Sequence, residues 1–418
     1  VLRIVNGGTG ATIRSVGDLE IAPVGTGQPL LVDLDGDGRT EIVYLHYSRS
    51  KLIALNHDGS RRWTRPLSAV HAPGAEIGTY FDPDKKARLL IVGKEVIAES
   101  KKSPVVIGSL PSASGGVTSF VYPADPQNPS ALFLFDSTGV HDLRTGARKI
   151  AYPQTSLVAV AELSASDRGF EIVGTGGGRL WIMNALSGRM VLERDLQVYN
   201  PLLCPAGSIG GGVPTVGDFD GDPSTVEIAM ATGKYLTIFS ATGELIAQKE
   251  TQDCSSLATG ISSFDFNGDG KQEIVYGDEE YLRIYEIRDG RLEEVWKTVN
   301  PSGTLYEYPV IVDVDGNGGS DIVVASNNYP VAGFYRDESK SADRAKALLV
   351  TGVRAFESAD RQAWMPTPSA WPQFSYNPVM EVLADSRGNV ITALLEGFLG
   401  KTFRQNAALT ATRLGCRE

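Results

Sequence analysis

The chain has 418 residues, with 50 acidic and 39 basic side chains and a formal net charge of −11. This acidic balance argues against a protein that binds the nucleic-acid backbone, which requires a basic surface. The 42% content of hydrophobic residues is sufficient for a large folded core. No apolar run long enough for a transmembrane helix is present. The 46 glycines exceed the average frequency of roughly 7% and indicate many tight turns.

Four segments share one pattern: a short apolar run, a loop rich in Asp, Asn and Gly, an acidic residue and a second apolar run. They are residues 30–45, 215–230, 262–277 and 310–325. The second runs are rich in Ile and Val and too short for helices, which predicts strand, tight loop and strand. Weaker copies occupy residues 78–93, 118–135 and 159–175. The copies recur about every 47 residues, the length of one four-stranded propeller blade.

Most repeats continue with a second pair of short strands around a turn that contains Gly. These hairpins are predicted at residues 51–66, 179–195, 235–250 and 281–297, and less regular hairpins are predicted at residues 95–108 and 139–150. The predicted fold class is therefore all-β, a seven-bladed β-propeller with four-stranded blades over residues 1–358. We expect the hairpin at residues 2–17 to close the last blade; the alternative is that residues after 346 complete it. Residues 359–418 lack the repeat and are interpreted as a C-terminal extension packed on the propeller.

The Asp/Asn/Gly loops place oxygen side chains at alternate positions, with a backbone carbonyl available at position seven. A hard cation prefers such oxygen ligands, and the absence of soft ligands argues against zinc and copper. Calcium is favoured over magnesium because magnesium is stricter in geometry and usually retains waters. One loop of this kind is as readily a plain turn, but four in equivalent places favour Ca²⁺, about three to four ions. Four ions would bring the net charge to about −3.

The candidate metal ligands fall into four groups, one for each clear copy of the loop. The predicted ligands are Asp33, Asp35, Asp37, Arg39 and Glu41; Asp218, Asp220, Asp222, Ser224 and Glu227; Asp265, Asn267, Asp269, Lys271 and Glu273; and Asp313, Asp315, Asn317, Gly319 and Asp321. Arg39, Lys271 and Gly319 would contribute their carbonyl oxygens. The second group is the least regular, because Glu227 comes one position late and Pro223 replaces a glycine. The weaker pairs, Asp82 with Asp84 and Asp167 with Glu171, are expected to be plain turns.

With their flanking strands, these loops resemble the FG-GAP/VCBS-type repeats of integrin α-subunit propellers and of secreted bacterial surface proteins. The resemblance is clearest in residues 30–45 and 215–325, and residues 364–406 are similar to the segment that follows the propeller in those proteins. It implies a seven-bladed propeller with calcium between the first and second strands of a blade. It also implies an extracellular or bacterial cell-surface setting, as a part of a larger surface protein, and roles in adhesion or glycan recognition.

Two of the three cysteines, Cys204 and Cys254, occupy similar places before adjacent repeats. A disulfide between them is expected in an oxidising compartment, and the alternative is a pair of buried thiols. Cys416 is left over near the end of the chain.

No catalytic motif is found, and the four histidines have no partner at the spacing of a metal site or a triad. The favoured function is a non-enzymatic, calcium-dependent recognition or adhesion module for an extracellular protein or glycan. The alternative is a glycan-active propeller, a lectin or a polysaccharide lyase, which would need a cluster of Lys, Arg, His or Tyr in its axial cleft. Ligand-contact candidates are the aromatic side chains Trp364, Trp371, Phe374 and Tyr376 and the insertion at residues 327–346. For the aromatic cluster, the favoured interpretation is a Pro-rich strap that packs on the propeller.

Overall fold

The structure is a computed structural model in which almost every described element is a β-strand. It describes residues 1–164, 166–196, 211–232, 235–253, 259–304, 307–327, 339, 341–359 and 364–367. The strands of its first half are β1 (Leu2–Val5), β2 (Thr12–Val16), β3 (Leu30–Val32), β4 (Glu41–Leu45), β5 (Lys51–Leu55), β6 (Arg61–Pro66), β7 (Gly78–Asp82), β8 (Ala87–Val92), β9 (Glu95–Ser100), β10 (Ser103–Ser109), β11 (Ser119–Pro123), β12 (Leu132–Asp136), β13 (Gly139–Asp142) and β14 (Arg148–Ala151).

The second half continues in the same manner and adds one short helix. Its elements are β15 (Leu157–Ala161), β16 (Glu171–Gly176), β17 (Arg179–Asn184), β18 (Met190–Asp195), β19 (Thr215–Gly217), β20 (Glu227–Thr232), β21 (Tyr235–Phe239), β22 (Leu245–Glu250), β23 (Ile261–Phe264), β24 (Glu273–Gly277), β25 (Tyr281–Arg288), β26 (Arg291–Val299), β27 (Val310–Val312), β28 (Asp321–Ser326), α1 (Ser341–Ala347) and β29 (Gly352–Phe356). Within the described ranges, no helix is long and apolar enough to cross a bilayer.

The strands pair in sequence order into antiparallel sheets, as the hairpin pattern predicts. Sheets one to six are the four-stranded sets β3–β6, β7–β10, β11–β14, β15–β18, β19–β22 and β23–β26. Sheet seven contains three described strands, β27, β28 and β29. The all-β prediction is confirmed, and the predicted first and second strands of each repeat form the inner half of a sheet.

The fourth strand is the most exposed strand of every four-stranded sheet, which indicates that the sheets radiate from a common centre with their fourth strands outermost. The first strands β11 and β23 are buried at every residue, whereas the fourth strand β10 is exposed at most of its residues. First strands of consecutive sheets also contact each other, as β19 contacts β23 and β23 contacts β27. The hydrophobic cores lie between neighbouring sheets; one, for example, joins Ile238 of sheet five to Tyr285 of sheet six. Burial of these apolar faces is the main stabilising contribution.

The N-terminal hairpin β1–β2 forms a separate two-stranded sheet that touches both ends of the repeat array. Val16 packs on Tyr44 and Leu55 of sheet one. At the hairpin turn, Gly7 lies so close to Val314 that a Cβ atom would stand 1.7 Å from the Val314 carbonyl oxygen.

Sheet seven differs in detail from the expected closure of the ring. Its third strand is β29, which pairs with β28 and follows the insertion, rather than a strand of the N-terminal hairpin. No fourth strand of this sheet occurs in the described part of the chain. Closure by the hairpin, the count of seven blades and the boundary at residue 358 therefore stay predictions.

Candidate metal sites

The Asp/Asn/Gly loops join the first strand to the second strand of a sheet, so all of them lie at equivalent places in the fold. We name them by their sheets as loop one (33–41), loop four (162–171), loop five (218–227), loop six (265–273) and loop seven (313–321). Loop four is the weaker copy, in which serines replace two of the carboxylates.

One hydrogen bond closes all five loops. The acidic residue that begins the second strand accepts the backbone N–H of the loop's second residue, at 2.8–2.9 Å. The pairs are Leu34 to Glu41, Leu163 to Glu171, Phe219 to Glu227, Phe266 to Glu273 and Val314 to Asp321. This side chain therefore shapes the loop with one oxygen, whether or not the other binds a cation.

The aspartate at the first position accepts two backbone N–H groups in loops one and six and three in loop seven. Asp33, for example, accepts from Gly36 at 2.8 Å and from Gly38 at 2.9 Å. Both glycines have positive φ, 76° and 84°, a conformation that Gly adopts without steric cost. Loop five makes only the first of these bonds, from Gly221 to Asp218 at 2.7 Å, because Pro223 has no N–H to donate.

The fifth position of each predicted site also supports the turn. Its side-chain oxygen accepts the N–H of position seven in every case, at 2.7–3.0 Å. The pairs are Arg39 to Asp37, Ser224 to Asp222, Lys271 to Asp269 and Gly319 to Asn317. The predicted ligand roles of these carbonyls and side chains stay predictions.

Four groups of carboxylates each bring one oxygen per residue to within 4.8 Å of the others. The groups are Asp33, Asp35 and Asp37; Asp218, Asp220 and Glu227; Asp269, Glu273 and Glu286; and Asp313, Asp315 and Asp321. Predicted ligands outside these groups include Glu41, Asp222 and Asp265, whereas Glu286 of β25 joins a group without having been expected. The sequence missed Glu286 because it lies on the third strand of the sheet, outside the loop motif.

A guanidinium group that the sequence analysis did not predict contacts the carboxylates of loop one. The Arg62 side chain, 2% exposed, contacts Asp35 at 2.5 Å and Glu41 at 3.3 Å. Its Nε donates to Glu99 at 2.6 Å, and a second nitrogen of the same group also pairs with Glu99. Hydrogen bonding to Arg62 lowers the pKa of Asp35.

Loop six has a weaker version of this arrangement. The Lys271 ammonium donates to Glu286 at 2.7 Å and to the Ile287 carbonyl at 3.0 Å. Asn267 donates to Glu273 at 3.0 Å, so both acidic neighbours are hydrogen-bonded.

Burial raises carboxyl pKa values in loops five, six and seven. It raises the pKa of both Glu227 and Glu273 to about 7, and nearby aspartates add repulsion. Burial, reinforced by Asp315 and Asp313, likewise raises the pKa of Asp321. An ion would offset this accumulation of negative charge. The donors are all oxygens, so their chemistry fits a hard cation such as Ca²⁺.

Other predicted residues are placed only in part. Trp364 is partly buried and packs on Phe266, with ring centroids 4.7 Å apart, and Met365 N donates to the Phe266 carbonyl at 2.9 Å. At the insertion, Asp343 of α1 accepts from the Tyr281 hydroxyl at 2.8 Å. Several candidates lie outside the described residues, namely Trp371, Phe374, Tyr376, Cys204, Cys254 and Cys416. The disulfide therefore stays a prediction.

His141 has a partner that sequence spacing did not reveal. Its Nε2 lies 3.2 Å from Asp136, and both side chains are fully buried. His46 is also buried, 2.9 Å from the Leu19 carbonyl and 2.8 Å from the Ser48 hydroxyl.

Comparison with known proteins supports the repeat assignment. Residues 265–324 match the model of the FG-GAP-like repeat, and no curated protein matches the chain. The crystal structure of the Vibrio cholerae biofilm matrix protein Bap1 is similar at a TM-score of 0.69 and 15% identity, covering 91% of this chain and 85% of Bap1. A Bacillus licheniformis rhamnogalacturonan lyase of family PL11 has a TM-score of 0.49 and 14% identity, covering 72% of this chain and 59% of the lyase. The sheets and the similar fold of Bap1 identify the chain as a β-propeller, and residues 265–324 of this propeller match the FG-GAP-like repeat.

Proposed function

We propose that the protein is a calcium-loaded recognition or adhesion module that binds a protein or glycan ligand outside a bacterial cell. The observation that supports it most is the fourfold recurrence of a carboxylate cluster, with three oxygens within 4.8 Å, at or beside the equivalent loop of four sheets. A single cluster of acidic side chains is common on protein surfaces, but recurrence in one repeat points to a shared role.

In this proposal the chain holds three to four Ca²⁺ ions through the predicted ligands of loops one, five, six and seven. A bound ion supplies positive charge that compensates the clustered carboxylates. The protein residues position those carboxylates: the aspartate at position one is fixed by glycine N–H groups, and the acidic residue at the second strand is fixed by the position-two N–H. The rigid loops then form one face of the propeller on which a ligand can bind.

The extracellular setting rests on one further observation. The similar structure of Bap1 is that of a biofilm matrix protein. The resemblance to VCBS-type repeats is also a part of this proposal. The family model that matches residues 265–324 is that of the FG-GAP-like repeat.

Calcium titration by isothermal calorimetry tests the metal sites directly. We expect three to four sites in the native protein, and one fewer after Asp313→Asn together with Asp315→Asn. The matched control is Asp58→Asn, because Asp58 lies in the β5–β6 turn, outside every predicted loop. Absence of any calcium binding would overturn the metal sites and, with them, the proposed function.

Surface binding tests the recognition role. The protein would be applied to immobilised bacterial surface glycans and to an extracellular-matrix protein array, with calcium and with excess chelator. The proposal expects retention on at least one surface that chelation reduces. Retention that the chelator leaves unchanged would show that recognition does not depend on bound calcium and would contradict the proposal.

A further inference from the structure

A groove of about 830 Å³ lies between loop one and the two turns of sheet two that face it. The turn between β7 and β8 contributes Lys86, and the turn between β9 and β10 contributes Lys101 and Lys102. Phe81, a half-buried residue of β7, and the exposed Pro83 add an apolar part to the lining. We call this feature the lysine groove.

The three lysines have an unusual backbone. Their φ angles are positive, 50° at Lys86, 50° at Lys101 and 59° at Lys102, and only six non-glycine residues in the described ranges share this property. Lys101 and Lys102 are the whole connection between the paired residues Ser100 and Ser103. A two-residue hairpin turn with two positive φ angles is of type I′, which Asn-Gly favours. Lysine is sterically disfavoured there, so something other than turn geometry accounts for its presence.

The three lysines also have charges that are accessible to a ligand. None of Lys86, Lys101 and Lys102 forms a salt bridge with another described residue, and all three are exposed. Three carboxylates also line the groove: Asp35 and Glu99 pair with the buried Arg62, and Asp33 accepts the backbone N–H groups of Gly36 and Gly38. A protein of net charge −11 therefore presents here a local surface of unpaired cations.

We propose that the lysine groove binds an anionic saccharide, a sugar chain that carries carboxylate groups. The three ammonium groups pair with sugar carboxylates, and Phe81 with Pro83 contacts the apolar face of a sugar ring. A saccharide is favoured over an acidic peptide because it combines spaced carboxylates with flat apolar faces, and the groove combines spaced cations with an aromatic ring. This inference rests on the proposed recognition function and names its ligand class.

The test measures binding of a fluorescently labelled oligogalacturonate hexamer at fixed calcium by anisotropy. The groove variant is Lys86→Asn, Lys101→Asn and Lys102→Asn combined, since Asn tolerates positive φ and keeps the turns intact. The matched control removes the same charge elsewhere, by Lys149→Gln, Lys249→Gln and Lys297→Gln, all exposed residues on outer strands. A neutral galactose hexamer and a hexaglutamate peptide serve as comparison ligands.

We expect the native protein and the control variant to bind the oligogalacturonate alike, and the groove variant to bind about tenfold more weakly, because three exposed ion pairs are lost. Unchanged affinity in the groove variant would overturn the inference, as would equal binding of the neutral hexamer. Hexaglutamate bound as tightly as the sugar would show attraction by charge alone and also overturn it. If the native protein binds calcium and a surface ligand but no oligogalacturonate, the groove inference fails and the proposed function stands. If the native protein binds neither calcium nor any surface ligand, the proposed function itself is overturned.

Discussion

The guanidinium of Arg62 lies 2.5 Å from the carboxylate of Asp35, in a loop where the sequence predicted only carboxylate and carbonyl ligands. Arg62 also reaches Glu41 and Glu99, so three carboxylates share one buried cation. Loop one is thus partly charge-compensated by the protein itself, although burial raises the pKa of Glu41 there, as it raises the pKa of Asp218 in loop five and of Asp321 in loop seven.

Replacing Arg62 by Met should therefore destabilise the protein strongly. It leaves Glu41 and Glu99 buried without their cation, a change that costs about 3 kcal/mol in comparable buried pairs. Thermal unfolding with and without calcium measures the loss, which should be smaller with calcium because an ion in loop one would compensate the carboxylates that the removal of Arg62 leaves unpaired. The adjacent Arg61→Met is the control, because the Arg61 side chain is 56% exposed and should change stability little. An Arg62→Met protein as stable as Arg61→Met would contradict the role of the cluster.

Removal of calcium should lower the melting temperature of the native protein. The carboxylates of loops five to seven repel one another without an ion, and binding of an ion to the folded state alone stabilises that state. Differential scanning calorimetry in excess chelator and in excess calcium measures the shift. Asp313→Asn with Asp315→Asn should reduce the shift, and Asp58→Asn should not. Identical melting curves in both conditions are incompatible with the predicted metal sites.

The ionisation of Glu162 should make the stability of the protein depend on pH, independently of the proposed metal ligands. Burial raises its pKa to about 7, the Glu171 charge adds to the rise, and its Oε1 has no hydrogen-bond partner among the described residues. A carboxyl whose pKa is higher in the folded state than in the unfolded state binds its proton more tightly in the folded state. The free energy of unfolding therefore falls as the pH rises from about 4.5 to 7 and the carboxyl ionises. Glu162→Gln should therefore stabilise the protein at pH 8 by about 1 kcal/mol, after allowance for solvent screening, and very little at pH 4.5.

Urea unfolding of this variant at the two pH values provides the measurement. The control is Glu20→Gln, whose side chain is 76% exposed and should show no such difference. A Glu162→Gln effect of the same size at both pH values would show that the change acts through packing and not through ionisation.

Two substitutions in the β9–β10 turn should stabilise the protein. Changing Lys101→Asn and Lys102→Gly gives a type I′ turn the residues it favours, and relief of two disfavoured φ angles should add about 1–2 kcal/mol to the free energy of unfolding. The same variant should lose affinity for oligogalacturonate. Chemical denaturation checks the first effect, with Lys149→Gln as the control. A stabilised protein with full affinity would leave the turn lysines without a ligand role.

The strand pattern was predictable because each sheet is local in sequence. Residues 262–277 read as strand, loop and strand, and they form β23, loop six and β24. The same local reading predicted the loop carboxylates, because a motif of alternating Asp and Gly determines its own hydrogen bonds, as Asp33 with Gly36 and Gly38 shows.

Residues that act across a sheet were not predictable in this way. Arg62 approaches loop one from the fourth strand of its sheet, and Glu286 approaches loop six from a third strand. Neither lies in a motif, and their positions depend on strand pairing and on side-chain direction.

The hydrogen bond from the second residue of a loop to the acidic residue of the next strand has a consequence for how such repeats can change. Leu163 and Glu171 form it in loop four, although Ser164 and Ser166 stand where other loops have carboxylates. The shape of the loop is thus maintained by a clasp that is separate from the cation ligands. A repeat of this design can acquire or discard an ion by exchanging two side chains, and its backbone does not have to be rebuilt.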